Sequence, residues 1–134
     1  MKKRLLPLVL LLFACSGDDE NSGAIAEQTI EGRWLWSPGF EAPANTMYEF
    51  LNGTRYTYYC DTTECDESYW NTLELSDAIP GTETYTYEDN VLTIDLNFGN
   101  EFSTTISFEC NGGKVNFQSS SSSLYRIGVD HNCN

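Results

Sequence analysis

The chain has 134 residues, of which 20 are acidic and 7 are basic, so its formal net charge at pH 7 is −13. Its length suits one domain with a modest core. So large an excess of negative charge repels phosphate backbones and anionic lipid headgroups, which argues against a nucleic-acid partner.

The first 14 residues predict a signal peptide. Met1–Arg4 is a short cationic start, and Leu5–Phe13 is an uncharged apolar run that ends next to the small residue Ala14. A permanent transmembrane helix needs roughly 20 apolar residues, so this run is too short to be one. A basic start, a short apolar core and a small residue are typical of secretion. Residues 1–14 are therefore excluded from the fold.

The residues that follow the apolar run predict a lipid anchor. Leu12-Phe13-Ala14-Cys15 resembles the lipobox of bacterial lipoproteins. The resemblance implies that Cys15 receives a diacylglyceryl group and becomes the acylated N-terminus, with palmitate as a typical chain. Each buried methylene contributes about 0.8 kcal/mol, so two or three acyl chains anchor a protein firmly to a lipid membrane. The alternative is an ordinary signal peptide with a chance cysteine.

Residues 15–27 predict a lipidated, flexible tether. Ser16–Gly23 is small, polar and acidic, and it has nothing to bury. An acidic cluster directly behind a lipidated cysteine also resembles the surface-export signal of lipoproteins in some Gram-negative bacteria. The alternative is a plain solvated linker. The expected location is the outer membrane, with display at the cell surface favoured over the periplasmic face.

Residues 28–134 predict an all-β domain, with no convincing helix. Apolar residues recur at every second position, which is the period of a strand, and turn residues separate the runs. Asn52-Gly53 is the signal of a type I′ hairpin. The expected strands cover about 30–36, 46–51, 54–60, 68–75, 83–88, 91–98, 101–110, 114–119 and 124–129.

The alternation also predicts the core. The face of the sixth expected strand that points inward carries Leu92, Ile94, Leu96 and Phe98. Across the first hairpin, the expected partners of Tyr48 and Phe50 are Tyr56 and Tyr58. Eight or nine antiparallel strands with tight turns form either a small closed up-and-down barrel or a β-sandwich. Short connections favour the barrel, because a sandwich needs longer crossovers.

Two short motifs carry a family resemblance. Gly32-Arg33-Trp34 resembles the Gly-x-Trp signature of the lipocalin (calycin) superfamily, and Tyr48–Tyr56 resembles the second hairpin of bacterial lipocalin-like lipoproteins. The resemblance implies that an arginine of the last strand covers the signature tryptophan at the closed end of the barrel, and Arg126 fits this role. A guanidinium can stack on an indole and donate to nearby carbonyls. The C-terminal helix of larger family members has no counterpart here.

The cysteines that remain after Cys15 form an even set of four. In an oxidising compartment such a set usually pairs. Three connectivities exist, and the preferred one is Cys60–Cys65 with Cys110–Cys133. A zinc site is not expected, because the chain has no Cys-x-x-Cys pair and His131, its one histidine, lies in a polar tail.

The barrel interior is the main candidate for function. The aromatic residues that are candidates to line a ligand site are Trp34, Trp36, Tyr48, Tyr56, Tyr58 and Trp70. Binding of a small apolar ligand is the first hypothesis. In the alternative, the aromatics fill the barrel, since eight strands leave room only for side chains or one small ligand. The protein would then be a surface module that binds a protein or glycan, for instance as an inhibitor.

Catalysis is not expected. The chain lacks a Gly-x-Ser-x-Gly elbow and has no histidine within a strand, so the protein is predicted not to be an enzyme. The loop 61–67 gathers four carboxylates, but their spacing matches no calcium loop. No metal or cofactor is therefore expected, and the predicted oligomeric state is a monomer.

Overall fold

The computed structural model describes residues 28–37 and 44–129. Within them, eight antiparallel strands form a closed barrel in which every strand pairs with its neighbours in chain order and β8 returns to β1. The strands are β1 (Gly32–Ser37), β2 (Thr46–Leu51), β3 (Thr54–Tyr59), β4 (Glu83–Glu88), β5 (Val91–Asp95), β6 (Glu101–Glu109), β7 (Lys114–Phe117) and β8 (Ser123–Arg126). The predicted up-and-down barrel is thus confirmed, and the β-sandwich is excluded.

Tight turns of defined geometry join the strands. Asn52 (φ 49°) and Gly53 (φ 81°) both have left-handed backbones between β2 and β3. Asp89 (φ 51°) and Asn90 (φ 64°) do the same between β4 and β5. Two successive positive φ values define a type I′ turn, which Asn, Asp and Gly tolerate best. The hairpin predicted at Asn52-Gly53 is therefore confirmed.

The strand expected at 68–75 is wrong. This segment forms the short helix α1 (Glu67–Thr72), followed by a 3-10 turn at Leu75–Asp77. The side chain of Asp66 caps α1 by accepting a hydrogen bond of 2.9 Å from the backbone N–H of Tyr69. A capping aspartate and apolar side chains at Tyr69, Trp70 and Leu73 are helix signals, and the alternation analysis overlooked them.

The strand expected at 91–98 ends earlier than predicted. β5 stops at Asp95, whose carboxylate accepts a hydrogen bond of 2.8 Å from the Asn97 N–H. Asn97 and Phe98 then turn with φ values of 66° and 55°. As a result Phe98 is fully exposed and Leu96 is 39 % exposed, so neither joins Leu92 and Ile94 in the buried core.

The pairing expected across the first hairpin is also wrong. Tyr48 lies opposite Thr57 and Phe50 lies opposite Arg55. A two-residue turn pairs Leu51 with Thr54, so even-numbered residues of β2 always meet odd-numbered residues of β3. Paired residues share a face. Tyr56 and Tyr58 therefore lie on the opposite face from Tyr48 and Phe50.

Two separate clusters result from this register. The cluster inside the barrel consists of Ile30, Trp34, Phe50, Tyr85, Leu92, Ile94, Ile106, Val115 and Leu124, with further aromatics packed against it. The second cluster lies on the outer face of β2 and β3, where α1 covers it. Its buried members are Met47, Tyr58, Cys60 and Trp70.

One end of the barrel is closed by Arg126 and Trp34. Trp34 is completely buried, and the Arg126 guanidinium carbon lies 4.2 Å from the centre of its ring system. The guanidinium also donates to three backbone carbonyls, those of Thr29 (2.6 Å), Glu31 (2.9 Å) and Gly112 (3.1 Å). The contact expected between Arg126 and Trp34 is therefore present.

Gly32 makes room for this contact. Its φ is +120°, and a Cβ added there would lie 2.9 Å from Nη1 of Arg126. The guanidinium cannot simply swing away, because its hydrogen bonds and the Trp34 ring hold it in place. Glycine is therefore required at this position of the Gly-x-Trp motif for two reasons: the positive φ and the lack of space for a Cβ.

Arg33 faces outward and joins α1 to the barrel. Its Nε lies 3.1 Å from Oε1 of Glu49, and its Nη2 donates to the Leu73 carbonyl at 3.0 Å. Nη1 donates to the Trp70 carbonyl at 3.4 Å. A cation at the carbonyl end of a helix stabilises it through these carbonyls.

The predicted disulfide Cys60–Cys65 is confirmed, with a Cα–Cα distance of 5.9 Å. It closes the loop between β3 and α1 beside Trp70, whose indole N–H donates to the Cys65 carbonyl at 3.1 Å. Cys110 is disulfide-bonded. Its predicted partner Cys133 lies outside the described residues, as do His131 and Cys15, so that pairing stays a prediction.

We expect Gly32→Ala to lower the free energy of unfolding by about 2–3 kcal/mol, because it strains a positive φ and displaces a charged hydrogen-bond donor. Gly81→Ala is the matched control: Gly81 has φ +94° and open space around its Cα. It should lose only about 1 kcal/mol. Urea unfolding measures both values, and equal losses would contradict the steric role of Gly32.

Candidate functional site

A cavity of about 290 Å³ opens inside the barrel at the end opposite Arg126. In an up-and-down barrel every second turn lies at the same end. The β5–β6 and β7–β8 turns therefore surround the mouth of the cavity, and the last residue of β8, Arg126, lies at the other end. The lining residues are Trp36, Tyr48, Phe50, Arg55, Ile94, Leu96, Phe102, Phe117, Ser120, Ser122 and Leu124. The lining is therefore mostly aromatic and aliphatic, with a few polar groups.

Arg55 is the charged side chain of this lining. It lies opposite Phe50 in the β2–β3 pairing, which places it on the inner face. Its Nη2 forms an ion pair and hydrogen bond with Oε2 of Glu83 on β4, and the two side chains are 14 % and 19 % exposed. The pair keeps the inner surface close to electrically neutral at this point.

Tyr48 covers one face of the Arg55 guanidinium. The guanidinium carbon lies 4.5 Å from the centre of the tyrosine ring. Burial raises the pKa of Tyr48, although the positive charge of Arg55 opposes the shift. Cation–π contact of this kind strengthens where water is partly excluded. The Tyr48 hydroxyl therefore stays protonated and neutral beside the cavity.

The structure separates the six aromatic residues that the sequence singled out. Trp36 and Tyr48 line the cavity. Trp34 is inside the barrel but at the closed end, under Arg126. The remaining three, Tyr56, Tyr58 and Trp70, belong to the outer cluster beneath α1.

Arg55 and the two serines of the lining were not predicted from the sequence. The signal for Arg55 was present, since a two-residue turn at Asn52-Gly53 puts residue 55 opposite Phe50. Ser120 and Ser122 had no such signal, because they lie in the connection between β7 and β8, where alternation does not apply. Phe102 and Phe117 also line the cavity, and their rings pack edge to face at 6.0 Å.

Two buried tyrosines donate to carboxylates elsewhere in the fold. The Tyr58 hydroxyl donates to Oε2 of Glu49 at 2.6 Å, and the Tyr85 hydroxyl donates to Oε1 of Glu31. Burial raises the pKa of both tyrosines far above the ordinary value of 10.0, and the neighbouring carboxylates raise it further. Both hydrogen bonds need the phenolic proton.

Two other features, a metal-binding cluster and a membrane-spanning helix, were sought among the residues that the structure describes. No group of three or more His, Cys, Asp or Glu side chains in residues 28–37 and 44–129 is placed to hold a metal ion. Over the same ranges, no helix combines the length and apolar character needed to cross a bilayer.

Comparison with known proteins identifies no relative of this chain. No protein-family model, no curated protein and no solved structure matches it. The cavity and its lining side chains are therefore the basis for a functional proposal.

Folding stability should fall as the pH rises above about 10. A tyrosine whose pKa is raised by folding contributes its full stabilisation when the pH is below its pKa in the unfolded chain. This stabilisation is lost as the pH rises towards its pKa in the folded protein. Urea unfolding between about pH 8 and about pH 12 measures the effect. Tyr58→Phe should flatten the profile, because it removes one such proton.

The matched control is Tyr59→Phe, since Tyr59 is 56 % exposed on the same strand. It should leave the pH profile unchanged. If the two variants had the same profile, the alkaline loss of stability would not come from the Tyr58–Glu49 hydrogen bond.

Proposed function

We propose that the barrel binds one small, largely apolar molecule in its open cavity. The observation that carries the proposal is a cavity of about 290 Å³ with a mostly aromatic and aliphatic lining. Ligand pockets generally measure roughly 300–1,000 Å³, so this one is at the small end. Its size suits a compound of one or two rings rather than a long-chain lipid.

Incomplete filling of the barrel supports this proposal. At the closed end the side chains of Trp34 and Val115 are completely buried. At the open end the large side chains of Trp36, Phe102 and Phe117 are only partly buried. Exposed apolar surface is unfavourable in water, and a concave apolar surface is where ligands usually bind.

A second candidate is a surface interaction module, and Phe98 is the observation that favours it. This side chain is fully exposed at the tip of the β5–β6 turn, on a backbone with φ 55°. A bulky residue in that region is uncommon and strained. Aromatic side chains are enriched at protein–protein interfaces, so this exposed one suits contact with another macromolecule. Phe98→Ser would weaken the binding of a protein or glycan partner and leave the binding of a small ligand in the cavity unchanged.

We further propose that the barrel is displayed as a lipoprotein anchored through Cys15. The support is the sequence of residues 1–27, which lie outside the described residues. A lipid anchor at the outer membrane would hold the cavity at the cell envelope without committing the barrel itself to the membrane. The role at that location is binding rather than catalysis.

Narrowing the mouth of the cavity should weaken ligand binding. Naphthalene serves as a neutral two-ring probe, measured by equilibrium dialysis. Leu96 lines the cavity at its mouth, so Leu96→Trp should fill part of the space and weaken binding by about tenfold or more, the equivalent of about 1.4 kcal/mol. Equal naphthalene binding by Leu96→Trp and by the unaltered protein would contradict binding in this cavity.

The matched control for this experiment is Val91→Trp. Val91 lies on β5, which ends one residue before Leu96, and it is similarly exposed, at 37 %, but it does not line the cavity. This variant should bind naphthalene as the unaltered protein does. Native mass spectrometry of protein purified from cells would add a direct readout, because a co-purified small-molecule adduct identifies the natural ligand.

Cys15→Ser should abolish lipidation. In a bacterial host, the unaltered chain is expected to incorporate labelled palmitate and to fractionate with membranes, because the thioether to lipid forms only at a cysteine sulfur. The serine variant should lose both properties. Cys110→Ser is a control that keeps Cys15. Labelling that persists in Cys15→Ser would rule out the anchor, and protease treatment of intact cells tests display at the surface.

A further inference from the structure

Arg55 lines the cavity, and one of its hydrogen-bond donors has no partner in the protein. A guanidinium carries five N–H donors in one plane. Nη2 of Arg55 donates to Glu83, but the buried Nε has no hydrogen-bond partner among the described residues. It is the one buried side-chain nitrogen or oxygen in that part of the chain left in this condition. Buried donors almost always have partners, so this one calls for an explanation.

The surroundings of Arg55 decide which ligand group suits this donor. The Tyr48 ring covers a face of the guanidinium, so a ligand can accept a hydrogen bond only at its edge, in the plane of the nitrogens. Arg55 belongs to the cavity lining together with Trp36 and Tyr48. An aromatic or alicyclic ligand packed beside these rings could therefore present an oxygen to the edge of the guanidinium.

Glu83 decides the charge of that group. Its carboxylate already neutralises Arg55 within a half-buried pair. A carboxylate on the ligand would approach Glu83 closely, and like charges repel strongly where water is scarce. The net charge of −13 on the whole chain adds to this repulsion. A neutral carbonyl oxygen accepts the same hydrogen bond without that penalty.

We infer that the ligand is a small ring compound with an uncharged acceptor oxygen, such as a ketone, ester or amide, which binds the edge of Arg55. This inference rests on the proposed ligand-binding function and names the ligand class. Ring surface supplies the apolar contact, and the Arg55–Glu83 pair selects a neutral oxygen over an anion.

Three probes with the same ring system test the inference: naphthalene, 2-acetylnaphthalene and 2-naphthoate. The unaltered protein should bind the ketone about tenfold more tightly than naphthalene, the gain typical of a hydrogen bond to a charged donor. The acetyl group adds no net apolar character, so burial alone does not predict this gain. The carboxylate should bind most weakly. Equilibrium dialysis at neutral pH measures all three.

Variants of the pair separate hydrogen bonding from charge. Arg55→Met combined with Glu83→Gln removes both charges together, so it avoids leaving a buried carboxylate without a partner. In this variant the ratio of ketone to naphthalene affinity should fall to about one. Glu83→Gln alone keeps the cation and removes its counter-charge, so the affinity for 2-naphthoate should rise about tenfold.

Glu88→Gln is the matched control. Glu88 lies on the same strand as Glu83 but is exposed. It changes the net charge equally and should change neither the ketone preference nor the affinity for 2-naphthoate. A gain in 2-naphthoate affinity as large as that of Glu83→Gln would overturn the role of the pair.

The outcomes distinguish the two proposals. If none of the three probes binds, the ligand-binding function itself fails. If naphthalene binds and the ketone gains nothing, the function stands and the inference about Arg55 is wrong. If 2-naphthoate binds most tightly to the unaltered protein, the site selects an anion, which also overturns the inference.

Discussion

Arg126 stacked on Trp34 is the contact on which the closed form of the barrel depends. It lies where the last strand meets the first, with the guanidinium carbon 4.2 Å from the indole centre. Its donors reach the carbonyls of Thr29 and Glu31, ahead of β1, and of Gly112, ahead of β7. One side chain thus holds three separate segments together. Because this end is shut, the barrel has a single open end within the described residues, and the cavity lies there.

Because side chains alternate along β1, the tripeptide Gly32-Arg33-Trp34 contacts both the cluster inside the barrel and the outer cluster beneath α1. Gly32 leaves space for the Arg126 guanidinium, and Trp34 fills the closed end of the interior. Arg33, between them, points outward to Glu49 and to the carbonyl end of α1. The helix, the Cys60–Cys65 disulfide and Tyr58 form the outer cluster around that contact. This outer layer covers apolar surface that would otherwise be exposed.

The wrong predictions have a common physical origin: alternation alone does not say which face of a strand meets the core, where a strand ends, or whether the segment is a strand at all. Tyr56 and Tyr58 alternate correctly along β3, yet the two-residue turn puts them outside. Trp70 lies on a helix whose aspartate cap outweighed the strand pattern. Phe98 continues the alternation of β5, but left-handed residues had already ended the strand.

By itself, the sequence determined an antiparallel all-β chain, the type I′ turn at Asn52-Gly53 and the Cys60–Cys65 disulfide, because each depends on local periodicity, turn chemistry or a short loop. The contact of Arg126 with Trp34 was implied by the resemblance of Gly32-Arg33-Trp34 to a family motif and by no local pattern. Only the tertiary structure decided where the cavity lies and what lines it. The Arg55–Glu83 pair joins residues 28 positions apart and depends on the β3–β4 register. Such a register follows from closing the whole barrel, which no local pattern specifies.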